Sequence, residues 1–178
     1  MACPRGLDDL EDQVNDTEAR ERFAGARVAR LATVRASGAP HLVPVTFALV
    51  EDVSLAEDIA EADGGGSDRP RPAGTIVTAV DHKPKRSGSL LRLANIEHDP
   101  RVTLLVDHYD EDWTRLWWVR ADGRARVVTA GPERDAAVRA LTTRYTQYRR
   151  HPPAGPAIIV EVDRWSSWCW DAGQPSAT

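Results

Sequence analysis

Short apolar stretches predict most of the strands of this chain. Residues 27–35 alternate between two faces, residues 41–50 form a return strand, and the sequence A-S-G-A-P between them is typical of a turn. A run of apolar, β-branched residues follows at 75–80, and a second apolar run at 102–106. Pro44 has no N–H to donate to a ladder, so it predicts an edge strand, a bulge or a place where a ligand approaches the backbone.

Helical spacing predicts three helices. Asn15 or Asp16 is a capping residue ahead of strong helix formers, and Gly25 is placed to end that first helix. A short amphipathic helix is predicted between these two apolar runs. A longer helix follows Gly131 and Pro132, where apolar residues recur at helical spacing.

The C-terminal third predicts further strands. Residues 115–130 have the pattern of a hairpin with Asp122 and Gly123 at its tip. The last strand, 157–170, is expected to bend near Asp163 and Arg164. The helices are too few to cover both faces of a parallel sheet. The order of elements therefore predicts a closed antiparallel barrel with helices on its outside and rims.

Three cations, Lys83, Lys85 and Arg86, stand between a predicted strand end and a predicted helix start. A phosphate placed there would gain charge-assisted hydrogen bonds and the positive end of the helix dipole. The cluster therefore predicts an anion site, and a solvated basic turn is the alternative. Arg30 on the first strand becomes an additional anion ligand if the barrel turns it towards these cations.

The length of 178 residues predicts a single domain over 1–178 that buries a full core. Within it we expect a frayed N-terminus at 1–15, an inserted flexible loop at 51–73 and a polar tail at 171–178. The loop is acidic, then glycine-rich, then proline-rich, which is the composition of an exposed insert.

Composition narrows the range of partners. A net charge of −4 argues against nucleic acid as the main partner. No apolar run approaches the ~18 residues that a membrane span needs, so no membrane partner is expected. The two cysteines, Cys3 and Cys169, lie near opposite ends, which predicts a reducing, cytoplasmic environment rather than a disulfide framework.

Common catalytic and metal motifs are missing from the sequence. It contains no G-x-S-x-G, G-x-x-x-x-G-K or G-x-G-x-x-G, so hydrolase, P-loop and Rossmann functions have no support. Three acid–histidine neighbours lack the spacing of a metal motif, so no metal site is expected, and no catalytic residue is identified. Five of the six tryptophans fall in two groups that are typical of a core, an interface or a flat ring ligand: Trp117 with Trp118, and Trp165 with Trp168 and Trp170.

Four motifs in a fixed order are similar to those of a known family. They are R-V-A-R-L-A-T-V, G-A-P-H-L-V-P-V-T-F, T-I-V-T-A-V-D-H-K-P-K and L-L-R-L-A-N-I-E-H-D-P-R-V-T-L-L-V-D. Over about residues 17–170, the insert excepted, the chain resembles the pyridoxamine 5'-phosphate oxidase-like split β-barrel family. More narrowly, it resembles the actinobacterial branch of probable coenzyme F420-dependent enzymes. The resemblance implies a mainly β (α+β) fold, an antiparallel split β-barrel of the FMN/F420-binding type with a few peripheral helices.

The resemblance also implies a homodimer with cofactor sites at the subunit interface, each built from both chains. The first strand pair would run alongside the ring system of the cofactor, and the basic turn would hold its phosphate and acidic tail. The implied cofactor-binding residues are Pro44, Val45, Thr46 and Phe47 at the ring; Thr75, Ile76, Val77 and Thr78 near the ring and linker; Lys83, Lys85 and Arg86 at the anion; and Trp117 and Trp118 of the partner chain.

Three functions are compatible with these expectations. The first is an F420-dependent oxidoreductase that transfers a hydride between the deazaflavin and a small organic substrate with a conjugated C=C or imine-like group. The second is an FMN-dependent oxidase or reductase of the same fold, and the third is a non-catalytic cofactor-binding or carrier protein. The cations favour F420, because FMN ends at one phosphate whereas F420 carries an acidic tail. His41, Tyr109 and water stay open as proton donors.

Overall fold

A computed structural model of the chain describes residues 16–50, 73–81 and 91–170. Its strands are β1 (Ala29–Val34), β2 (Pro40–Val45), β3 (Ala48–Val50), β4 (Thr75–Ala79), β5 (Arg101–His108), β6 (Trp117–Val128) and β7 (Ala157–Cys169). Its α-helices are α1 (Asp16–Gly25), α2 (Leu91–His98), α3 (Pro132–Arg144) and α4 (Thr146–Arg150), with a 3-10 turn at Trp113–Arg115. All three helices expected from the sequence are present.

The seven strands form one antiparallel sheet in the order β2-β1-β5-β6-β7-β4-β3. The two edge strands, β2 and β3, are separated in the chain by only Thr46 and Phe47. Three Cα–Cα steps span at most about 11 Å. The two edges of the sheet must therefore meet at this corner, and the sheet curls into a barrel that is split between its edges. The predicted split β-barrel is confirmed.

The interior of the barrel is the main apolar core. It is filled by strand residues such as Leu31, Leu104 and Val119, and Phe23 of α1 enters it from one side. The ring of Phe23 meets that of Phe47 edge-on at 4.9 Å. A second core lies outside the barrel, where α3 and α4 pack on β3, β4 and β7. Burial of these two cores holds the helices on the barrel.

The first hairpin follows the sequence prediction. Residues 35–39 make the turn between β1 and β2, with the Gly38 N–H donating to the carbonyl of Arg35 at 2.8 Å. Gly38 has φ +81°, a conformation that glycine adopts without strain. Pro44 lies on β2, and β2 pairs only with β1. The edge-strand option for Pro44 is the one that the fold realises.

The hairpin predicted at Asp122 and Gly123 is wrong. Both residues lie inside β6, which is one continuous strand paired with β5 on one side and β7 on the other. An ideal Cβ on Gly123 would lie 2.1 Å from the carbonyl oxygen of Glu161. The glycine is therefore required by the close approach of β7 and not by a turn.

The predicted bend of the last strand is confirmed as a β-bulge. Asp122 pairs with Arg164 and Gly123 pairs with Val162, so Asp163 is an extra residue on β7. Before the bulge Val162 faces the barrel interior, and after it Trp165 does. The bulge thus changes which alternate residues of β7 point into the core.

Several expectations fall outside the described residues. They concern the frayed N-terminus, almost all of the insert at 51–73, the polar tail at 171–178, and the cations Lys83, Lys85 and Arg86. Within the described ranges, no helix is long and apolar enough to cross a bilayer.

Candidate functional site

Helix α2 brings polar side chains to a buried position at the split of the barrel. It packs against β1 and β6, with Leu93 and Ile96 in the core. Arg92 and Asn95 share the buried side with them, and Arg92 is only 6% exposed. An arginine is almost never this buried unless it is paired or binds a ligand. Arg92 is therefore the starting point of the candidate site.

The buried guanidinium of Arg92 lies in the electrostatic field of Asp81 and Tyr148. Burial lowers its pKa, while the Asp81 carboxylate and then the Tyr148 hydroxyl act in the opposite direction. Arginine nonetheless stays protonated in proteins. Its Nε is buried and has no hydrogen-bond partner among the described residues. The result is a fixed positive charge in a site of low dielectric, with a donor still available to an acceptor.

Asp81, the last described residue before the basic segment, is tied to the corner between the two sheet edges. Its Oδ2 lies 3.1 Å from the hydroxyl of Tyr148. The same hydroxyl lies 2.8 Å from Oγ1 of Thr46. Tyr148 on α4 thereby joins the end of β4 to the β2–β3 corner.

A second polar group continues from Arg92 along β1 and β2. Asn95 donates from Nδ2 to Oγ1 of Thr33 at 2.9 Å, and the same oxygen lies 3.4 Å from Nδ1 of His41. Burial, Arg35 and Arg92 lower the pKa of His41. The imidazole is therefore neutral at pH 7.

These contacts and charge interactions connect residues from six parts of the fold into one polar group, which we call the seam cluster. Its members are Thr33, His41, Thr46, Asp81, Arg92, Asn95 and Tyr148. The cluster lies at the end of β4, beyond Val77, the last β4 residue that pairs with β3. The other edge strand, β2, lies across from it. Segment 82–90, which carries the three predicted anion ligands, begins directly after Asp81 and ends two residues before Arg92.

The structure places the predicted ring-binding residues unevenly around this cluster. Thr46 belongs to it, and Pro44 is exposed on β2. Val45 and Phe47 are buried in the core. The Tyr145 hydroxyl holds Phe47 by its N–H and its carbonyl oxygen at 3.1 and 2.9 Å.

The predicted residues of β4, Thr75, Ile76, Val77 and Thr78, are all buried. Ile76 lies in the barrel core and Val77 in the core under α3. Thr78 pairs with Ile158 of β7 and lies beyond the last β4 residue that pairs with β3. Since the N–H and the carbonyl oxygen of Val80 both bond to residues 155–156, strand alternation directs the backbone groups of Thr78 to β7 as well.

The other predicted residues lie together on a different surface. Arg30 forms an ion pair with Asp107, and Asp107 is the β5 partner of Trp118. Trp118 pairs in turn with Trp168 of β7, and the guanidinium of Arg120 lies 5.8 Å from its ring centroid. By strand alternation this is the outward face of β1, β5, β6 and β7, opposite the buried Val119. We call it the outer sheet face.

Trp117, next to Trp118, points the other way. Its ring stacks on His108 with centroids 6.2 Å apart and an interplanar angle of 24°. The guanidinium of Arg22 lies 5.8 Å from the centroid of Trp117. The two tryptophans predicted to close a pocket therefore occupy opposite faces of β6.

An open groove of about 450 Å³ runs beside the outer sheet face and touches the seam cluster at Thr33. Its floor contains Thr103 and Asp122, which share a hydrogen bond of 2.7 Å. Asp122 also accepts from Arg120 at 3.1 Å and Arg164 at 3.3 Å. Its carboxylate is thus fully engaged with neighbours and fixes the floor of the groove. Within the described ranges, no three His, Cys, Asp or Glu side chains form a metal-binding group.

Sequence reasoning missed Arg92, Asp81 and Tyr148. The signal for Arg92 was a polar residue at the helical spacing of an apolar stripe, next to Leu93 and three residues before Asn95. Tyr148 had no such local signal, because its partners are 67 and 102 residues away in the chain.

Comparisons with known proteins agree with this architecture. The model of the family described as pyridoxamine 5'-phosphate oxidase matches residues 16–169. No curated protein sequence matches the chain. A conserved hypothetical protein of Mycobacterium tuberculosis superposes with a TM-score of 0.62 at 18% identity, covering 93% of this chain and 95% of that chain.

Two further solved structures have the same fold. A FAD-binding protein of Mesorhizobium loti superposes with a TM-score of 0.54 at 17% identity, covering 86% of this chain and 92% of that chain. The FAD binding protein of Mycobacterium smegmatis superposes with a TM-score of 0.54 at 14% identity, covering 89% and 98%. At identities this low, the superpositions establish a shared fold and nothing more specific.

Proposed function

Because the chain belongs to the pyridoxamine 5'-phosphate oxidase family, we propose that it is an oxidoreductase whose flavin-type cofactor binds at the seam cluster. Our narrower proposal is a deazaflavin cofactor, coenzyme F420, which exchanges a hydride with a conjugated C=C or imine-like group of a small substrate. FMN is the alternative cofactor.

The buried charge of Arg92 is the observation that carries this proposal. A guanidinium that is 6% exposed has lost most of its hydration, and its Nε lacks a partner among the described residues. A phosphate or carboxylate oxygen restores the lost interaction with a charge-assisted hydrogen bond. Flavins and deazaflavins carry such anions on a chain attached to a flat ring.

The number of cations favours F420 over flavins with fewer negative charges. The three cations Lys83, Lys85 and Arg86 belong to the segment that joins Asp81 to α2. They are therefore close to Arg92 in the sequence. Four cations exceed the need of one phosphate and suit a phosphate followed by carboxylates. The neighbours from Mesorhizobium loti and Mycobacterium smegmatis are named FAD-binding proteins, which supports the broader flavin class.

In the proposed reaction the residues of this chain bind and orient, and the cofactor supplies the hydride chemistry when it is bound. Arg92 holds the anion of the cofactor. His41, neutral at pH 7, is a hydrogen-bond partner at the mouth of the cluster. The buried Val45 and Phe47 stiffen the corner beneath it.

The outer sheet face supports the proposal that the protein is a homodimer. Among the described residues, no helix packs over Arg30, Trp118 and Trp168, whereas α3 covers the outside of β3 and β4. These partly exposed tryptophans offer a large apolar area for a second copy of the chain. A partner seated there would bring Trp118 and its neighbours close to a cofactor that both chains share.

The experiment that tests the function is a fluorescence titration of the purified protein with F420, FMN and FAD in parallel, following the quenching of tryptophan. We expect micromolar binding of F420 and a weaker response to FMN and FAD. Preference for FMN or FAD would replace the deazaflavin by a flavin. No response to any of the three would overturn the cofactor-binding function.

Turnover separates an enzyme from a carrier. The protein loaded with reduced F420 is mixed with a panel of enones and cyclic imines, and cofactor oxidation is followed by absorbance. Oxidation that depends on both protein and substrate supports the oxidoreductase. Tight binding without oxidation for any substrate of the panel would support the non-catalytic carrier instead.

A further inference from the structure

The short helix α4 contributes a buried hydroxyl that nothing in the proposed chemistry requires by itself. Tyr148 is 5% exposed, and its ring packs edge-on against Tyr145 with centroids 5.5 Å apart. Its hydroxyl lies 2.8 Å from Thr46 Oγ1 and 3.1 Å from Asp81 Oδ2. Three segments far apart in the chain therefore meet at one oxygen.

The direction of these hydrogen bonds follows from the chemistry of the groups. An ionised carboxylate only accepts, so the Tyr148 O–H donates to Asp81. That proton is then committed, and the Tyr148 oxygen accepts from the hydroxyl of Thr46. The chain of donors runs from Thr46 through Tyr148 to Asp81, and such a chain polarises each of its members.

Asp81 connects this chain of donors to Arg92. Its negative charge is the main favourable charge acting on the buried guanidinium of Arg92. A carboxylate held by a donor keeps that charge in one place, which favours one orientation of the guanidinium. Removal of the Tyr148 hydroxyl takes away one of the interactions that hold the carboxylate and so weakens this preference.

We propose that Tyr148 is a positioning residue for anion binding: through Asp81 it holds the Arg92 guanidinium in the orientation that binds the phosphate of the cofactor. This rests on the proposed function. The hydroxyl acts on the anionic part of the ligand and not on its ring, so it determines how strongly the protein prefers a phosphorylated cofactor to the same ring without phosphate.

The test compares Tyr148→Phe with the wild type on matched ligand pairs. The pairs are FMN with riboflavin, and F420 with the deazaflavin–ribitol that lacks the phosphate. We expect Tyr148→Phe to weaken binding of the phosphorylated member roughly 5- to 30-fold and to leave the phosphate-free member within about twofold, in line with the loss of one charged hydrogen bond. Asp81→Asn is expected to lower the same ratio, and the double variant to add little to either single one.

Tyr145→Phe is the matched control. Tyr145 is equally buried, but its hydroxyl bonds to the backbone of Phe47 and to the Arg27 carbonyl, and it lies outside the chain of donors. We expect it to lower thermal stability and to leave the ratio of affinities unchanged. An equal loss for both members of a pair in Tyr148→Phe, or an unchanged ratio, would overturn the inference. A wild type that binds none of the four ligands would overturn the proposed function itself.

Discussion

At the scale of single residues, Arg92 shows most clearly how a side chain proposed to bind a ligand can reduce the stability of the fold. Burying a guanidinium costs free energy that only a partner with good geometry offsets. Asp81 supplies part of that interaction, and the free Nε leaves part of it to a ligand. A side chain that serves only the fold would be better replaced here by an apolar residue.

Replacing Arg92 by Met is expected to separate the two roles. Affinity for F420 or FMN should fall about 10- to 100-fold, since a hydrogen bond to a charged group contributes about 1.5–3 kcal/mol. The free energy of unfolding without ligand should change much less, because Met fills similar space without a charge to bury. Isothermal titration and urea unfolding measure the two effects.

The control for this change is Arg101→Gln, which removes an arginine whose side chain is 74% exposed and paired with Asp99. It should leave cofactor affinity unchanged. If Arg92→Met and Arg101→Gln weakened binding to the same small extent, general surface charge rather than the buried guanidinium would account for the affinity.

His41 predicts a pH dependence of stability. Its pKa in the folded protein is lowered from 6.5 by burial and by the charges of Arg35 and Arg92. Well above pH 6.5 the imidazole is neutral in both the folded and the unfolded state, so its titration does not change the free energy of unfolding. As pH falls below 6.5 the unfolded chain takes up the proton first, and the free energy of unfolding decreases.

Urea unfolding at pH 7.5 and pH 5.5 measures this effect. The wild type should lose stability between the two values, and His41→Gln should lose less. The same loss in both proteins would show that other groups cause the decrease in stability at low pH and that the pKa of His41 is not lowered in the folded protein.

At the scale of elements, β6 and β7 show what local sequence signals contain and what they omit. Asp122 and Gly123 form a dipeptide that is typical of hairpin turns, yet the backbone of Glu161 is what makes glycine necessary. Glu161 lies 38 residues further on, so no local pattern distinguishes the two causes. The bend at Asp163 was predictable because polar residues interrupt an apolar run at that point.

Gly123→Ala is expected to destabilise the protein by about 3 kcal/mol or more, at the upper end for overpacking, because the new Cβ meets backbone atoms that cannot move aside. Gly25→Ala is the control. Gly25 is in the last position of α1, and no atom lies within 4 Å of an added Cβ. The substitution Gly25→Ala should therefore stabilise the protein by about 0.4–1 kcal/mol. Equal effects of the two changes in thermal unfolding would contradict the close approach of β7.

The candidate site was predictable only in part for the same reason. The resemblance to the split-barrel family pointed to Thr46, and the cations that precede α2 predicted an anion site beside it. Arg92 and Tyr148 were not predicted, because their roles depend on contacts that form when α2 and α4 reach the same corner. Local pattern predicts elements well, and the split of the barrel decides which side chains become neighbours.

At the scale of the whole molecule, the predicted site residues lie on two separate surfaces of one barrel, which is the reason for proposing a homodimer. The seam cluster opens at the sheet edges, whereas Trp118 and Trp168 lie on the outer sheet face. One barrel does not bring both to the same ligand. In the proposed dimer, each outer sheet face would pack against the other subunit and bring its tryptophans towards the partner's cofactor.

Trp118→Glu is expected to disrupt this pair, since a carboxylate buried opposite its own symmetry copy is repelled and loses its hydration. Light scattering should give twice the chain mass of 19.6 kDa for the wild type and a single chain mass for the variant. Cofactor affinity should fall with the loss of the pair, although Arg92 and Tyr148 are untouched.

Thr143→Glu is the control, because it adds the same charge to the exposed side of α3, over the other part of the barrel. This variant should stay dimeric and bind the cofactor normally. A wild type with the mass of one chain that still binds its cofactor at micromolar concentration would show that the seam cluster suffices alone.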